Sequence, residues 1–135
     1  MKILIFEGIS GSGKSTLIEN LRSLDNYDVV QLHRFTPTQW VYDRLYNRRE
    51  VDYEWFNNEF QKLIPVYMIW CYCSPQVALD RQRKKENDLT ENLEKASNLY
   101  NEYFMTVGTW KNMLKLDTSK LSIKECIEEI KLSLK

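Results

Sequence analysis

A chain of 135 residues fits one compact domain, and 43% hydrophobic residues supply enough apolar material for a single core. Its 19 Lys+Arg against 19 Asp+Glu give a formal net charge of +0. That balance argues against a general nucleic-acid binder, which carries a basic surplus, but it leaves room for a locally basic pocket.

Residues 3–6 form a short apolar run before a glycine-rich turn, which predicts a strand buried on both faces, as in a parallel sheet. The opening MKILIFEG holds too short an apolar stretch for a signal peptide. Residues 14–24 predict a helix, with Leu17, Leu21 and Leu24 at helical spacing, ended by Asp25 and Asn26. Residues 27–35, with Val29, Val30 and Leu32, predict the second strand. Thr36-Pro37 predicts a helix start, a capping hydroxyl followed by Pro at the first helical position. The helix is expected to run to about residue 62, crowded with Trp40, Tyr42, Tyr46, Tyr53, Trp55, Phe56 and Phe60.

Residues 66–73 predict a third strand, and Ser74-Pro75 opens a helix into the basic stretch Arg81, Arg83, Lys84 and Lys85. A break is expected at 86–88, a helix from 89 to about 104 and a weak fourth strand at 113–116. Ser122 and Glu125 spell a capping box for a last helix to about residue 134. This alternation predicts an α/β domain over residues 1–135, a parallel sheet with helices on both faces. Cys71, Cys73 and Cys126 lack the spacing of a zinc site and read as reduced, mostly buried thiols of a cytoplasmic protein. The longest apolar run, 63–73, is too short to span a bilayer and contains Pro65, so no membrane partner is expected.

The chemistry begins at EGISGSGKST. Gly8, Gly13, Lys14 and Ser15 complete G-x-x-x-x-G-K-[ST] between a predicted strand and a predicted helix. Such a loop wraps an anion with backbone N–H groups, so Gly8, Gly11 and Gly13 must let the backbone turn tightly and approach closely. Ser10, Ser12 and Thr16 complete the cradle, and the helix N-terminus adds donors and partial positive charge. Lys14 would charge-pair the β- and γ-phosphates of ATP, and the Ser15 hydroxyl would ligate Mg²⁺. A switch GTPase needs a guanine-reading Asn-Lys-x-Asp segment, and a motor ATPase a strand ending in a carboxylate pair. The chain has neither, since the third strand runs into Ser74-Pro75.

FEGISGSGKST, then HRFT, then ALDRQRKK, then LKLDTS, in this order over most of the chain, resemble the thymidylate kinase family. The resemblance implies a three-layer α/β/α phosphate-loop fold and transfer from ATP to a nucleoside monophosphate such as dTMP. The family is longer, by a strand–helix unit at the sheet edge, so its absence here implies about four strands in the order 2-1-3-4. His33 stands where the family has Asp, which keeps a nucleotide-binding module with little turnover as an alternative. A deoxynucleoside or other small-molecule kinase is the second alternative.

By resemblance Arg34 binds the acceptor phosphate, and Asp117 and Thr118 end the last strand where backbone contacts adenine. The basic run around residues 80–90 matches a mobile lid whose Arg81 and Arg83 close over the γ-phosphate; a solvated charge run is the ordinary alternative. Thr36, with Thr38 beside it, lies at a helix N-terminus suited to an anion. Arg44 and Arg48 share a helix face and either reach that phosphate or are solvated. Most of the aromatics read as core, with Trp40 and Tyr42 the candidates to stack on the acceptor base. Glu7 is placed to orient the metal shell or the acceptor sugar. His33 reads as a strand-end hydrogen-bonding residue more readily than a base. A monophosphate attacks with an oxygen already ionised, and HRFT offers cations but no carboxylate. A homodimer stays open.

Overall fold

The computed structural model describes residues 1–21, 28–84 and 92–135. Four strands, β1 (Lys2–Glu7), β2 (Val29–His33), β3 (Val66–Tyr72) and β4 (Asn112–Asp117), form one parallel sheet in the order β2-β1-β3-β4. This is the expected order. Phe6 pairs with His33, Glu7 with Trp70 and Tyr72 with Asp117, so the strands deliver their C-terminal ends to one rim. Ligands of open parallel sheets bind at that rim.

Alternation along the central strands divides the core in two. Leu4, Phe6, Ile69 and Cys71 face α1 (Lys14–Asn20) and α6 (Ile123–Ser133), which contribute Leu17, Cys126 and Ile130. Ile3, Ile5, Met68 and Trp70 face the opposite layer, built by α2 (Thr36–Leu45), α3 (Glu54–Leu63) and α5 (Leu93–Glu102). Its bulk is aromatic: Trp40, Tyr100, Tyr103, Phe104 and Trp110 are all buried there. Helix α4 (Pro75–Lys84) follows β3 and rises from the rim.

The structure departs from the sequence expectations at several boundaries. The single helix expected over 36–62 is two helices, α2 and α3. Asn47 adopts a left-handed φ of 52°, the conformation that commonly follows a helix end. The Tyr53 hydroxyl then donates to the buried Asp43 carboxylate at 2.7 Å, pinning the connecting loop back onto α2. Thr36 is the first helical residue and Phe35 the cap, so Pro37 occupies the second helical position. The Thr36 hydroxyl lies 2.6 Å from Asn57 Oδ1, tying α2 to α3.

Ser74 does cap α4, accepting from Val77 N at 3.2 Å, and the capping box of Ser122 and Glu125 forms as expected. Helix α5 starts at Leu93, capped by Asn92, and widens after Glu102 into a π-helical turn over Tyr103–Val107. The expected end of the first helix beyond residue 21, the break at 86–88, Lys85 and residues 89–91 lie outside the described residues. Cys71, Cys73 and Cys126 are free and buried. Among the described residues no helix is long and apolar enough to cross a membrane.

Candidate active site

Strand β1 ends in the turn that makes the site. Gly8, Gly11 and Gly13 have φ of 143°, 83° and 98°. At Gly8 a Cβ would lie 2.3 Å from the Cys71 carbonyl oxygen, so the loop's first glycine is dictated by the neighbouring strand as well as by its dihedral. Lys14, buried at the start of α1, folds its ammonium into the loop. It donates to Gly8 O at 2.7 Å, to Ile9 O at 2.5 Å and to Ser12 Oγ at 3.0 Å. A full positive charge therefore sits at the centre of the loop, on a rigid element.

The loop floors a cleft of about 460 Å³. Ser10, Gly11, Gly13, Lys14, Ser15 and Thr16 line it from below. His33 and Arg34 stand on one side; Arg81, Gln82, Thr118, Leu121, Ile123 and Cys126 form the other. Burial, then the charges of Lys14 and Arg34, lower the His33 pKa, so its imidazole is neutral near pH 7.

Arg34 takes a left-handed φ of 71°, an uncommon and costly conformation for a long side chain. Its Nη1 donates to the Tyr42 hydroxyl at 2.6 Å and the Tyr100 hydroxyl at 3.3 Å, and its Nη2 to Ser10 Oγ at 3.2 Å. The guanidinium is thus held against the loop. Tyr42 serves it as a hydrogen-bond partner on the protein side.

Glu7 is fully buried. Its carboxylate accepts from Phe35 N, from Thr38 N at 3.3 Å and from the Thr38 hydroxyl. It caps α2 from β1, so the anion at that helix N-terminus is the protein's own. Burial pushes its pKa up to about 7, against the lowering pull of those hydrogen bonds and of Arg34 and Lys14. Neither Thr36 nor Thr38 lines the cleft: Thr36 meets Asn57, and Thr38 lies between Glu7 and the Tyr100 hydroxyl, 2.8 Å away.

Trp40 is buried edge-on against Tyr103, with ring centroids 5.4 Å apart. The Arg44 guanidinium lies 3.6 Å from the Trp40 ring centroid and 3.5 Å from the Glu50 carboxylate. Both residues line a second, smaller cleft with Tyr53 and Val107, apart from the loop. Exposed Arg48 lies over the Tyr46 ring at 5.4 Å. These three expected acceptor contacts are not brought to the phosphate loop.

On the far side Arg81 is anchored. It donates to Gly11 O and Thr118 Oγ1, both at 3.0 Å, and to Thr118 O at 2.8 Å. Arg83, one residue past Gln82, is exposed and is not among the residues lining the cleft. The Asp117 carboxylate accepts from the amide and hydroxyl of Ser119, stiffening the turn in which Thr118 faces the cleft. Ser15 is exposed in the cleft, and among the described residues no His/Cys/Asp/Glu group could hold a metal by itself. A Mg²⁺ ion, which binds through few protein ligands and nucleotide phosphates, would take the Ser15 hydroxyl as its protein contact.

Sequence reasoning missed Tyr100 and the cleft-lining Leu17, Gln82, Leu121, Ile123 and Cys126. Tyr100 alone carried a signal. It falls in register with Leu93 and Ala96 on the buried face of α5, and a buried tyrosine hydroxyl requires a partner. Leu121, just before α6, and Ile123 and Cys126 within it line the cleft, but nothing local in the sequence marks them.

Solved structures share this architecture. The YorR protein of Bacillus subtilis, in complex with phosphorylated GDP, superposes with a TM-score of 0.77 at 18% identity, over 96% of this chain and 94% of that one. The likeness is one of fold. Deoxyadenosine kinase from M. mycoides, with dCMP and a flexible dCDP bound, matches with a TM-score of 0.64 at 19% identity over 99% and 98% of the two chains. The same enzyme with dATP gives 0.62 at 19% identity over 99% of each. Comparison with protein-family models and with curated proteins gives no match. With helices packed on both faces of the one sheet, the fold has three layers, α/β/α, as expected.

Proposed function

We propose that the chain is an ATP-dependent kinase that phosphorylates a nucleoside monophosphate, a deoxynucleotide such as dTMP, in the manner of the thymidylate kinase family. One observation carries this reading: the cleft is lined by Lys14, Arg34 and Arg81, and none of its described lining residues is acidic. Two phosphorylated reactants brought together need their charge neutralised and their oxygens aligned, and an ionised acceptor needs no base. In this reading Lys14 and the loop amides hold the β- and γ-phosphates of ATP. Mg²⁺, bound through Ser15, screens their charge. Arg34 holds the acceptor phosphate beside Ser10, while Arg81 and Thr118 fix the far wall, where Leu121 and Ile123 offer apolar surface to a base. Arg83 is the lid cation that meets the transferring group on closure. The partner is nucleotide rather than nucleic acid or membrane, in the cytoplasm.

A second reading, a deoxynucleoside kinase, is favoured by the likeness to deoxyadenosine kinase. That chemistry requires a base at the acceptor hydroxyl. Glu7 is the rim carboxylate beside Arg34, and both its oxygens are engaged in capping α2. ADP release by the purified protein with ATP–Mg²⁺ and a panel of nucleosides and monophosphates separates the readings. Stimulation by a monophosphate supports the first, and stimulation by nucleosides alone sinks it. ATP binding without turnover on any acceptor identifies a binding module instead.

A further inference from the structure

Arg34 is a donor only, and the groups that accept from it include three hydroxyls on three different elements: Ser10, Tyr42 and Tyr100. Hydroxyls fix the plane of a guanidinium without neutralising it, as a touching carboxylate would. Behind one of them the chain continues inward. The Tyr100 hydroxyl lies 2.8 Å from Thr38 Oγ1, and the Thr38 hydroxyl reaches Glu7 Oε2. We propose that Tyr100, backed by Thr38 and Glu7, is a positioning residue that aims Arg34 at the acceptor phosphate; this rests on the assignment of Arg34 to that phosphate.

The direction of the chain follows from donor chemistry. Because Arg34 only donates, the Tyr100 oxygen accepts from it and the Tyr100 hydrogen points to Thr38. Thr38 in turn donates to ionised Glu7. One negative charge, two hydroxyls away, therefore orients the Tyr100 hydroxyl that accepts from Arg34. When Glu7 takes a proton it falls on Oε2, since Oε1 accepts from Phe35 N and Thr38 N, so Glu7 now donates to Thr38, Thr38 donates to Tyr100, and the Tyr100 hydrogen turns away from Thr38. Tyr100 is 1% exposed and Glu7 0%, so water does not substitute. The ionisable groups facing Glu7 are Lys14 from α1, Arg34 from the end of β2, Cys71 from β3, Tyr100 from α5 and Tyr103 from the turn after it. Glu7 is the member of this set whose pKa is about 7.

The test is two-substrate kinetics on the wild type, Arg34→Lys, Tyr100→Phe, Thr38→Val and Thr38→Ser, with folding checked by thermal melts. Tyr100→Phe and Thr38→Val are expected to raise the KM for the monophosphate about tenfold, the size of one hydrogen bond to a charged group, with the KM for ATP unchanged. Thr38→Ser keeps the hydroxyl and restores the wild-type value. Acceptor kcat/KM should fall as pH drops through about 7, and Glu7→Gln should remove that limb. An unchanged acceptor KM in Tyr100→Phe, with Arg34→Lys impaired, overturns the positioning role alone. Equal rises in both KM values, or no rescue by serine, mark a merely structural hydroxyl and overturn it too. An unchanged acceptor KM in Arg34→Lys instead overturns the assignment of Arg34 beneath it.

Discussion

Arg81 and Thr118 join α4 to the end of β4: Nη2 donates to Thr118 O at 2.8 Å and Nη1 to Thr118 Oγ1 at 3.0 Å. Thr118 Oγ1 in turn donates to Ser12 O at 2.7 Å, and Arg81 also reaches Gly11 O. One guanidinium thus ties the basic helix to the phosphate loop. Arg81→Ala should raise the KM for ATP about tenfold and lower the melting temperature, since it removes charge-assisted bonds from a part-buried site. Arg83→Ala, at an exposed position off the cleft, should leave the melting temperature unchanged and, under the proposed lid role, lower turnover. Parallel kinetics and melts check this. Equal destabilisation by the two substitutions would remove the distinction.

Lys14→Met should reduce kcat by about 10²-fold or more, because a preorganised charge on the transferring phosphate is lost. It should also cost about 1–3 kcal/mol of stability, because the carbonyls of Gly8 and Ile9 lose their buried donor. Single-turnover phosphoryl transfer and urea unfolding measure the two separately. A variant with the wild-type rate would contradict the phosphate-loop assignment.

The phosphate loop and the caps of α4 and α6 were legible in the sequence because each rests on contacts between near neighbours in the chain, whereas the strand order, which pairs Ile3 with Val66 and Tyr67 with Asn112, came from the family resemblance. The side chains around Arg34 were not legible. Thr38 and Tyr100 meet across 62 residues, and Phe35 takes its cap from Glu7, 28 residues back. A helix N-terminus reads the same from sequence whether its anion is a ligand or a carboxylate from another strand. Trp40 and Arg44 show the same limit. Arg44 lies over the Trp40 ring at 3.6 Å, and nothing local says which cleft that pair faces.

The glycines of the loop should differ in their tolerance. At Gly8 an added Cβ meets backbone at 2.3 Å, and nothing there can move without shifting β3. At Gly13 the nearest atoms are those of the Thr118 side chain, at 3.5 Å, an ordinary contact, so the positive φ alone is penalised. Gly8→Ala should therefore cost several kcal/mol, or prevent folding, whereas Gly13→Ala should cost about 1–2 kcal/mol. Chemical denaturation of both variants ranks them, and the reverse order would place the clash wrongly.

The fully buried Glu7 should make stability fall as pH rises. Its pKa moves from 4.5 when unfolded to about 7 in the fold, with burial as the largest cause. Between those values the native state holds a proton that the unfolded state has released, so each rise in pH favours unfolding. Below 4.5 the contribution is fully present; above about 7 it is gone and the curve is flat. The shift corresponds to about 3 kcal/mol across this window. Glu7→Gln carries no ionisable group there, so the wild-type stability measured relative to that variant should decline over the same window and then level off. Urea unfolding of both proteins at intervals between pH 4.5 and 8 provides the test. A difference that grows with pH would mean that hydrogen bonds from Phe35 and Thr38, with the charges of Arg34 and Lys14, outweigh desolvation. If the decline is found together with loss of acceptor kcat/KM below about 7, then one proton on Glu7 strengthens the fold and weakens the site.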